Sequence, residues 1–273
     1  MKIYYDDIML QHRIPDGIFD SFPSPLLAQQ IAQPEGPERI INTVSVLQRG
    51  PLAPRLDWAK PQAASDAEIL SFHTAQYLER LKQVDRVGDY LSASTYLPKD
   101  GLEIARIADA ICRPPNHHAQ AGMADGYCIF NGIAMAAQEA LQKGYRRVAV
   151  VDWDVHHGNG TQAGFYQRDD VLTISMHMDH GSWGESHPES GSVDEIGSAA
   201  GEGYNINLPL PFGSGDYCYE LVFEQCVLPR LRQFQPDLII LANGQDANQF
   251  DPNGRQMLTM AGYYRLATHL REA

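Results

Sequence analysis

The stretch DWDVHHGNGT, residues 152–161, follows the apolar run 148–151 and is the most informative part of the sequence. The run has the length of a buried strand, and the glycine-containing segment after it is typical of a loop. In open parallel sheets, ligands bind at the carboxyl ends of the strands. Asp154 and His156 are two residues apart, so an extended backbone directs both side chains to one face, where they can share a metal ion. The stretch therefore predicts a metalloenzyme.

Strand and helix patterns alternate on both sides of this stretch. Predicted strands cover 147–151, 171–176 and 237–242, with 205–209 as a further candidate, and helical patterns cover 129–143, 217–234 and 256–271. Such alternation favours a mostly parallel sheet with helices on both faces. No internal repeat or linker interrupts the chain, so we expect a single α/β domain over residues 1–273.

The amino-terminal half carries weaker signals. Ser65-Asp-Ala-Glu68 has the spacing of a capping box and predicts the start of a helix, with a break near His73. Residues 2–5 could form an edge strand of the sheet, and the segment 11–40, rich in proline and glycine, predicts an ordered surface loop.

Composition excludes several classes of protein. The net charge of −13 without a basic stripe argues against nucleic-acid binding, although it suits a cationic substrate. No apolar run approaches the roughly 20 residues of a membrane span, and residues 1–7 do not resemble a signal peptide. The four cysteines form no CxxC pair, which indicates reduced thiols. We therefore expect a cytoplasmic protein.

Asp246 is the third candidate metal ligand. It comes just after the predicted strand 237–242, so it can lie on the same rim of the sheet as Asp154 and His156. Two carboxylates and one imidazole leave a zinc ion one open position, as a catalytic site requires. Asp246 alone could equally cap a helix, but beside residues 152–161 we favour the ligand interpretation.

A second cluster, RPPNHHA at residues 113–119, brings two adjacent histidines. A zinc hydrolase needs a histidine that is not a ligand, to take a proton from water and pass it to the leaving group. His117 and His118 fit that role. Asp152, at the end of the first strand, is placed to hold an imidazole in one tautomer.

Together these segments resemble the zinc-dependent histone deacetylase and acetylpolyamine amidohydrolase superfamily, and most closely its bacterial class II-type deacetylases. The resemblance covers nearly the whole chain. It rests on Glu38-Arg39 and on residues 113–119, 125–131, 152–162, 201–209 and 244–247. It implies a three-layer arginase-like α/β fold.

The resemblance also implies roles for individual residues. One zinc ion per chain would be held by Asp154, His156 and Asp246. His117 and His118 would form the histidine dyad, with His118 as the general base and later acid, and Asp152 would support it.

Substrate and cation sites are implied in the same way. Tyr127 would form the aromatic wall of an acyl-lysine tunnel, His187 would stand opposite it, and Gly126 would contribute its backbone. A K⁺ site would include Asp152, Asp154, His156, Ser175 and Met176. Five other histidines are predicted to be structural: His12, His73, His157, His177 and His269.

Two departures from the family pattern qualify these expectations. Asn116 replaces the glycine before the histidine pair, and the sequence lacks the Glu-Gly-Gly-Tyr motif whose tyrosine would stabilise the oxyanion. The chain is therefore expected to be a form shortened at the C-terminus and around residues 100–112.

The leading hypothesis is a zinc deacetylase that removes an acetyl or other short acyl group from acetyl-lysine, an acetylpolyamine or a similar amine. The alternative is a zinc-bearing module that binds acylated amines without turnover, because the tyrosine motif is missing. A binuclear manganese hydrolase like arginase is a third interpretation, and it needs more carboxylate ligands than are visible. The expected partner is an acyl-lysine or small-molecule substrate. The sequence leaves open whether the chain forms a homo-oligomer.

Overall fold

The computed structural model describes residues 1–17, 25–26, 28–29, 33–108, 115–182 and 189–273. The chain divides into two compact units, Met1–Met135 and Ala136–Ala273. The expectation of one domain over 1–273 stays a prediction.

Short elements make up the first unit. Among its described residues, the strands pair as β1 (Lys2–Tyr4) parallel to β2 (Asp57–Ala59) and β3 (Asp89–Tyr90) antiparallel to β4 (Tyr96–Leu97). The helices are α1 (Glu38–Arg49), α2 (Asp66–Ile69), α3 (Ala75–Asp85) and α4 (Leu102–Ala108), with 3₁₀ turns at Asp7–Gln11 and Ala53–Arg55. Residues 109–112, part of the segment predicted to be short, lie outside the described residues.

The predicted capping box and helix break are both confirmed. The Ser65 hydroxyl accepts the Glu68 N–H, and the Glu68 carboxylate accepts the Ser65 N–H, so α2 begins where expected. The chain leaves the helix at Leu70 and restarts α3 with Thr74 as its N-cap.

One expectation for the amino-terminal region was wrong in detail. The segment 11–40, expected to be loop throughout, ends inside α1, which begins at Glu38. Residues 2–4 form the predicted short strand, and β2 is its partner among the described residues. Its expected place at the edge of the larger sheet stays a prediction.

An apolar cluster from α2, α3, α4 and the loops around them forms the core of the first unit. Its members are Ile69, Tyr77, Leu78, Leu81, Leu91, Leu97, Leu102, Ala105, Ala124, Ile129, Phe130 and Met135. The helix α5 (Gly132–Gln142) starts at the end of this unit and continues into the second.

The second unit contains a sheet whose four described strands are all parallel. They are β5 (Val148–Asp152), β6 (Val171–Met178), β7 (Asn205–Leu210) and β8 (Leu238–Ala242), in the spatial order β7-β6-β5-β8. The helices are α6 (Asn159–Phe165), α7 (Asp216–Val222), α8 (Leu228–Phe234) and α9 (Met260–Glu272), with a π turn at Phe223–Val227 and a 3₁₀ turn at Ala199–Gly201.

Helices cover both faces of this sheet. Ala149, Val151 and Ile174 alternate with their neighbours and join an apolar core with α7, α8 and α9. On the opposite face, Thr161 and Gln162 of α6 lie against polar residues of β5 and β6. The predicted α/β class with a mostly parallel sheet is confirmed. Among the described residues, no helix is both long and apolar enough to cross a membrane.

The strand order creates a switch point. From β5 the chain adds β6 and β7 on one side, and then returns to place β8 on the other side of β5. In open parallel sheets, loops from the carboxyl ends of two such strands diverge and leave a crevice for ligands. The loops that follow β5 and β8 therefore share one rim.

Candidate metal centre

All three predicted zinc ligands lie on this rim. Asp154 and His156 lie just beyond the end of β5, and Asp246 lies four residues beyond the end of β8. One potential ligand atom from each residue lies within 4.8 Å of the other two. The structure therefore brings together Asp154, His156 and Asp246, although Asp246 is 92 residues after Asp154 in the sequence.

The inner nitrogen of His156 faces both carboxylates. Its Nδ1 lies 3.2 Å from Asp154 Oδ1 and 3.0 Å from Asp246 Oδ2. Ligand atoms around a tetrahedral zinc ion lie about 3.3 Å apart, given bonds of about 2.0 Å. The three side chains are thus spaced as ligands of one metal ion would be.

Backbone hydrogen bonds hold this arrangement. The Val155 N–H donates to Asp246 Oδ1 at 2.9 Å, which ties the loop after β8 to the loop after β5. The Asp154 N–H donates to Asp152 Oδ1 at 3.0 Å. Gly244 permits the close approach, because a Cβ there would lie 2.1 Å from Asp154 Oδ2. The carboxylates are therefore fixed by the loops before any ion binds.

The electrostatics of the triad favour a cation. Burial alone would lower the pKa of His156, but hydrogen bonds and charge from Asp154 and Asp246 raise it to about 10. Burial and the neighbouring charge of Asp154 raise the pKa of Asp246. Two buried carboxylates repel each other unless positive charge lies between them. The donor set of two carboxylates and one imidazole fits zinc and leaves a fourth position open.

The residues predicted to hold a monovalent cation lie near this centre. Asp152 on β5 is directly opposite Ser175 on β6. Both line a small polar cavity with Thr161, Gln162, Asn205 and Asn207. Met176, the next residue of β6, is fully buried.

His157 and His177 have surroundings that suit structural roles. Their rings lie 4.7 Å apart between centroids. His157 Nε2 hydrogen bonds with Gln162 Oε1 at 2.9 Å, and His177 bridges Ser175 Oγ and the Gly191 carbonyl. Burial and the neighbouring His157 hold the pKa of His177 well below its usual value. These contacts agree with the prediction that neither residue is a ligand.

In the first unit, the predicted dyad is a compact pair. The rings of His117 and His118 lie 3.9 Å apart between centroids, and both side chains are buried. The Asn131 side chain donates to the carbonyls of His117 at 3.5 Å and Ala119 at 3.0 Å. This amide fixes the backbone on both sides of His118.

A tight turn at residues 125–128 packs against His118. Its central residues Gly126 (φ +49°) and Tyr127 (φ +66°) both have positive φ, and Asp125 and Cys128 pair across it. The His118 N–H donates to Cys128 Sγ at 3.3 Å. A Cβ at Gly126 would lie 2.2 Å from His118 Cδ2. The turn therefore needs glycine at 126, and it holds Tyr127 in a backbone conformation that tyrosine rarely adopts.

Some predicted residues are not placed, and others were missed. His187 and Arg113 lie outside the described residues. Sequence reasoning included Asn131 in the segment 125–131 but gave it no role beside the dyad. It overlooked Asn253, whose amide nitrogen lies 3.3 Å from His156 Nε2. Asn253 belongs to no local pattern of catalytic residues, so only the folded chain reveals it.

Comparison with known proteins identifies the family to which this chain is similar. A family model described as the histone deacetylase domain matches residues 99–273. The chain is 43% identical to histone deacetylase 8 of Arabidopsis thaliana, covering 99% of this chain and 78% of the relative. It is 38% identical to the histone deacetylase-like amidohydrolase of Pseudomonas aeruginosa, covering 88% of this chain and 67% of that protein.

Solved structures of related proteins have the same fold. The HDA15 HD domain superimposes with a TM-score of 0.87 at 32% identity, covering 100% of this chain and 82% of that one. The acetylpolyamine aminohydrolase from Burkholderia pseudomallei superimposes with a TM-score of 0.83 at 28% identity, covering 97% and 88%. The predicted arginase-like deacetylase architecture is therefore confirmed.

Proposed function

The chain belongs to the histone deacetylase family, and on that premise we propose that it is a zinc-dependent amidohydrolase. It removes an acetyl or other short acyl group from an acylated amine. The observation that carries the proposal is the convergence of Asp154, His156 and Asp246 on the rim of the parallel sheet. Relatives named as deacetylases and amidohydrolases support this reaction class.

Asp154, His156 and Asp246 would hold one zinc ion per chain. A zinc ion held there would supply a Lewis acid, which polarises an acyl carbonyl and lowers the pKa of water. The protein's part is to keep the two carboxylates and the imidazole fixed, which the hydrogen bonds of Val155 and Asp154 to Asp246 and Asp152 support.

His118 would act as the general base and then as the general acid. It takes the proton of the attacking water and delivers it to the departing amine, so that the amine leaves neutral. His117 would be its partner in the dyad. Support comes from the family motif at residues 113–119 and from the turn 125–128, which fixes the ring of His118. Asp152 would complete the catalytic set by orienting an imidazole.

The proposed substrate is an acyl-lysine or a small acylated amine such as an acylpolyamine. Gly126, Tyr127 and His187 would bind the acyl-amine chain, and the net charge of −13 suits a cationic partner rather than nucleic acid. A structural K⁺ ion near Asp152, Asp154, His156, Ser175 and Met176 completes the proposal.

We also propose a reducing compartment such as the cytoplasm. Cys128, Cys218 and Cys226 are free thiols, and they are all the cysteines among the described residues.

The direct test is hydrolysis of an acetyl-lysine anilide by the zinc-loaded chain, with metal content assayed in the same sample. A His118→Ala variant serves as the comparison. Turnover that depends on both zinc and His118 would support the proposal. Folded protein that holds one zinc ion but gives no turnover with any acylated amine tested would favour the acyl-amine binding module instead.

A further inference from the structure

Asn253 lies against the outer nitrogen of the proposed ligand His156. Its side-chain amide nitrogen is 3.3 Å from His156 Nε2, while His156 Nδ1 faces Asp154 and Asp246. The two nitrogens of the imidazole therefore have different neighbours. One faces the carboxylates that would share a metal ion, and the other faces a neutral amide.

The loop around Asn253 holds its backbone in place. Asp251 Oδ1 accepts the N–H groups of Asn253 at 2.8 Å and Gly254 at 2.9 Å, which forms a side-chain-capped turn. The Asp251 N–H in turn donates to the Asn248 carbonyl at 2.9 Å. This chain of bonds presents the Asn253 side chain at a fixed position beside His156.

We propose that Asn253 is a positioning residue for the metal ligand His156, an inference that rests on the proposed function. A histidine that binds metal through Nδ1 carries its proton on Nε2, and a partner for that N–H fixes the tautomer and the ring rotation. An amide offers both a donor and an acceptor, and a half-turn of its terminal group exchanges them. After that half-turn, Asn253 Oδ1 faces His156 Nε2 and accepts a hydrogen bond from its N–H.

The neutral amide suits this position better than a carboxylate would. Asp154 and Asp246 already bring two negative charges to His156. A third acidic group on the far side of the ring would add to their mutual repulsion in the metal-free protein. Asn253 supplies the hydrogen bond without adding that charge.

The test compares zinc affinity in Asn253→Leu and Asn253→Ala with that of the wild type. Leucine has nearly the shape of asparagine but no hydrogen-bonding group, and alanine covers the case in which leucine does not fit. Phe250→Ala is the matched control, because Phe250 belongs to the same loop and its side chain is 85% exposed. Zinc dissociation constants come from competition with a chelator, and the visible spectrum of the Co²⁺-substituted protein reports the ligand field.

We expect both Asn253 variants to bind zinc about 10- to 100-fold more weakly and to alter the Co²⁺ spectrum, with Phe250→Ala within twofold of the wild type. Folded variants at Asn253 that keep the wild-type zinc affinity and spectrum would overturn this inference alone. A wild type that binds no zinc would overturn the proposed function and this inference together.

Discussion

His73 in the first unit and His156 in the second are both buried histidines, but their pKa values are shifted in opposite directions. The His73 ring lies among Phe72, Tyr77 and Phe130, with centroid distances of 5.0–5.4 Å, and burial lowers its pKa to about 4. His156 is enclosed by Asp154 and Asp246, which raise its pKa to about 10.

The difference shows that neighbouring groups, more than burial itself, set the direction in which the pKa of a buried histidine shifts. His73 stays neutral and accepts the Asn131 N–H at 3.0 Å through Nε2, which suits a structural role. His156 sits where two carboxylates attract positive charge, which suits a metal ligand.

The largest effect is expected from Asp154→Asn, which removes one carboxylate from the triad. Because the lost metal ligand takes with it several kcal/mol of transition-state stabilisation, turnover of an acetyl-lysine anilide should fall on the order of a thousandfold or more. The matched control is Asp179→Asn, since Asp179 is an exposed carboxylate just beyond the end of β6. Equal turnover in Asp154→Asn and Asp179→Asn would remove the basis for the metal centre.

The acid response of His73 should be the largest effect on folding stability. Burial holds the pKa of His73 below its ordinary value of 6.5, so between these values the unfolded chain binds a proton that the folded chain excludes. The contribution of His73 to the free energy of unfolding is therefore fully present above about pH 6.5 and is lost as the pH falls toward about 4. The loss is about 2 kcal/mol at pH 5.

His73→Gln removes this titration and keeps an oxygen that can accept the Asn131 N–H. Urea unfolding at pH 7 and pH 5 should show a smaller loss of free energy in the variant than in the wild type. An identical loss in both proteins would mean that His73 does not stay neutral in the folded chain.

A third prediction concerns the turn that packs on His118. Gly126→Ala places a methyl group 2.2 Å from His118 Cδ2 in a backbone with φ +49°. A displaced catalytic imidazole should lower kcat about a hundredfold, while zinc affinity stays at the wild-type value. Gly122→Ala is the control, because a Cβ there meets no atom within 4 Å. Unchanged kcat in Gly126→Ala would contradict the positioning of His118 by this turn.

The smallest effect is expected at the surface of the first unit. Ser65→Ala breaks the capping box at the start of α2 and should cost about 1 kcal/mol of unfolding free energy. Urea unfolding at pH 7 measures this cost. An unchanged free energy of unfolding in Ser65→Ala would contradict the role of the cap.

The sequence predicted the sheet and the triad because both leave local signals. Four consecutive apolar residues begin β5, and β6 alternates apolar with polar residues from Leu172 onward. Asp154 and His156 follow β5 at a spacing of two. Asp246 could be placed with them because the carboxyl ends of parallel strands meet at one edge of the sheet.

Other features left no such signal. The π turn at Phe223–Val227 lies inside a pattern that predicts an ordinary helix over 217–234, since side-chain periodicity does not reveal one added residue in a turn. Asn253 is 97 residues from His156, and nothing in its surrounding sequence indicates that the two side chains touch. Long-range contacts between polar side chains depend on loop geometry, which periodicity does not encode.

The central claim is that Asp154, His156 and Asp246 hold one metal ion. Its most direct test is the zinc content of the purified chain after zinc loading and dialysis, measured for the wild type and for Asp246→Asn. The account predicts one zinc ion per wild-type chain and a large loss of zinc from the folded variant. A wild type without zinc, or a variant that retains a full zinc ion, would contradict it.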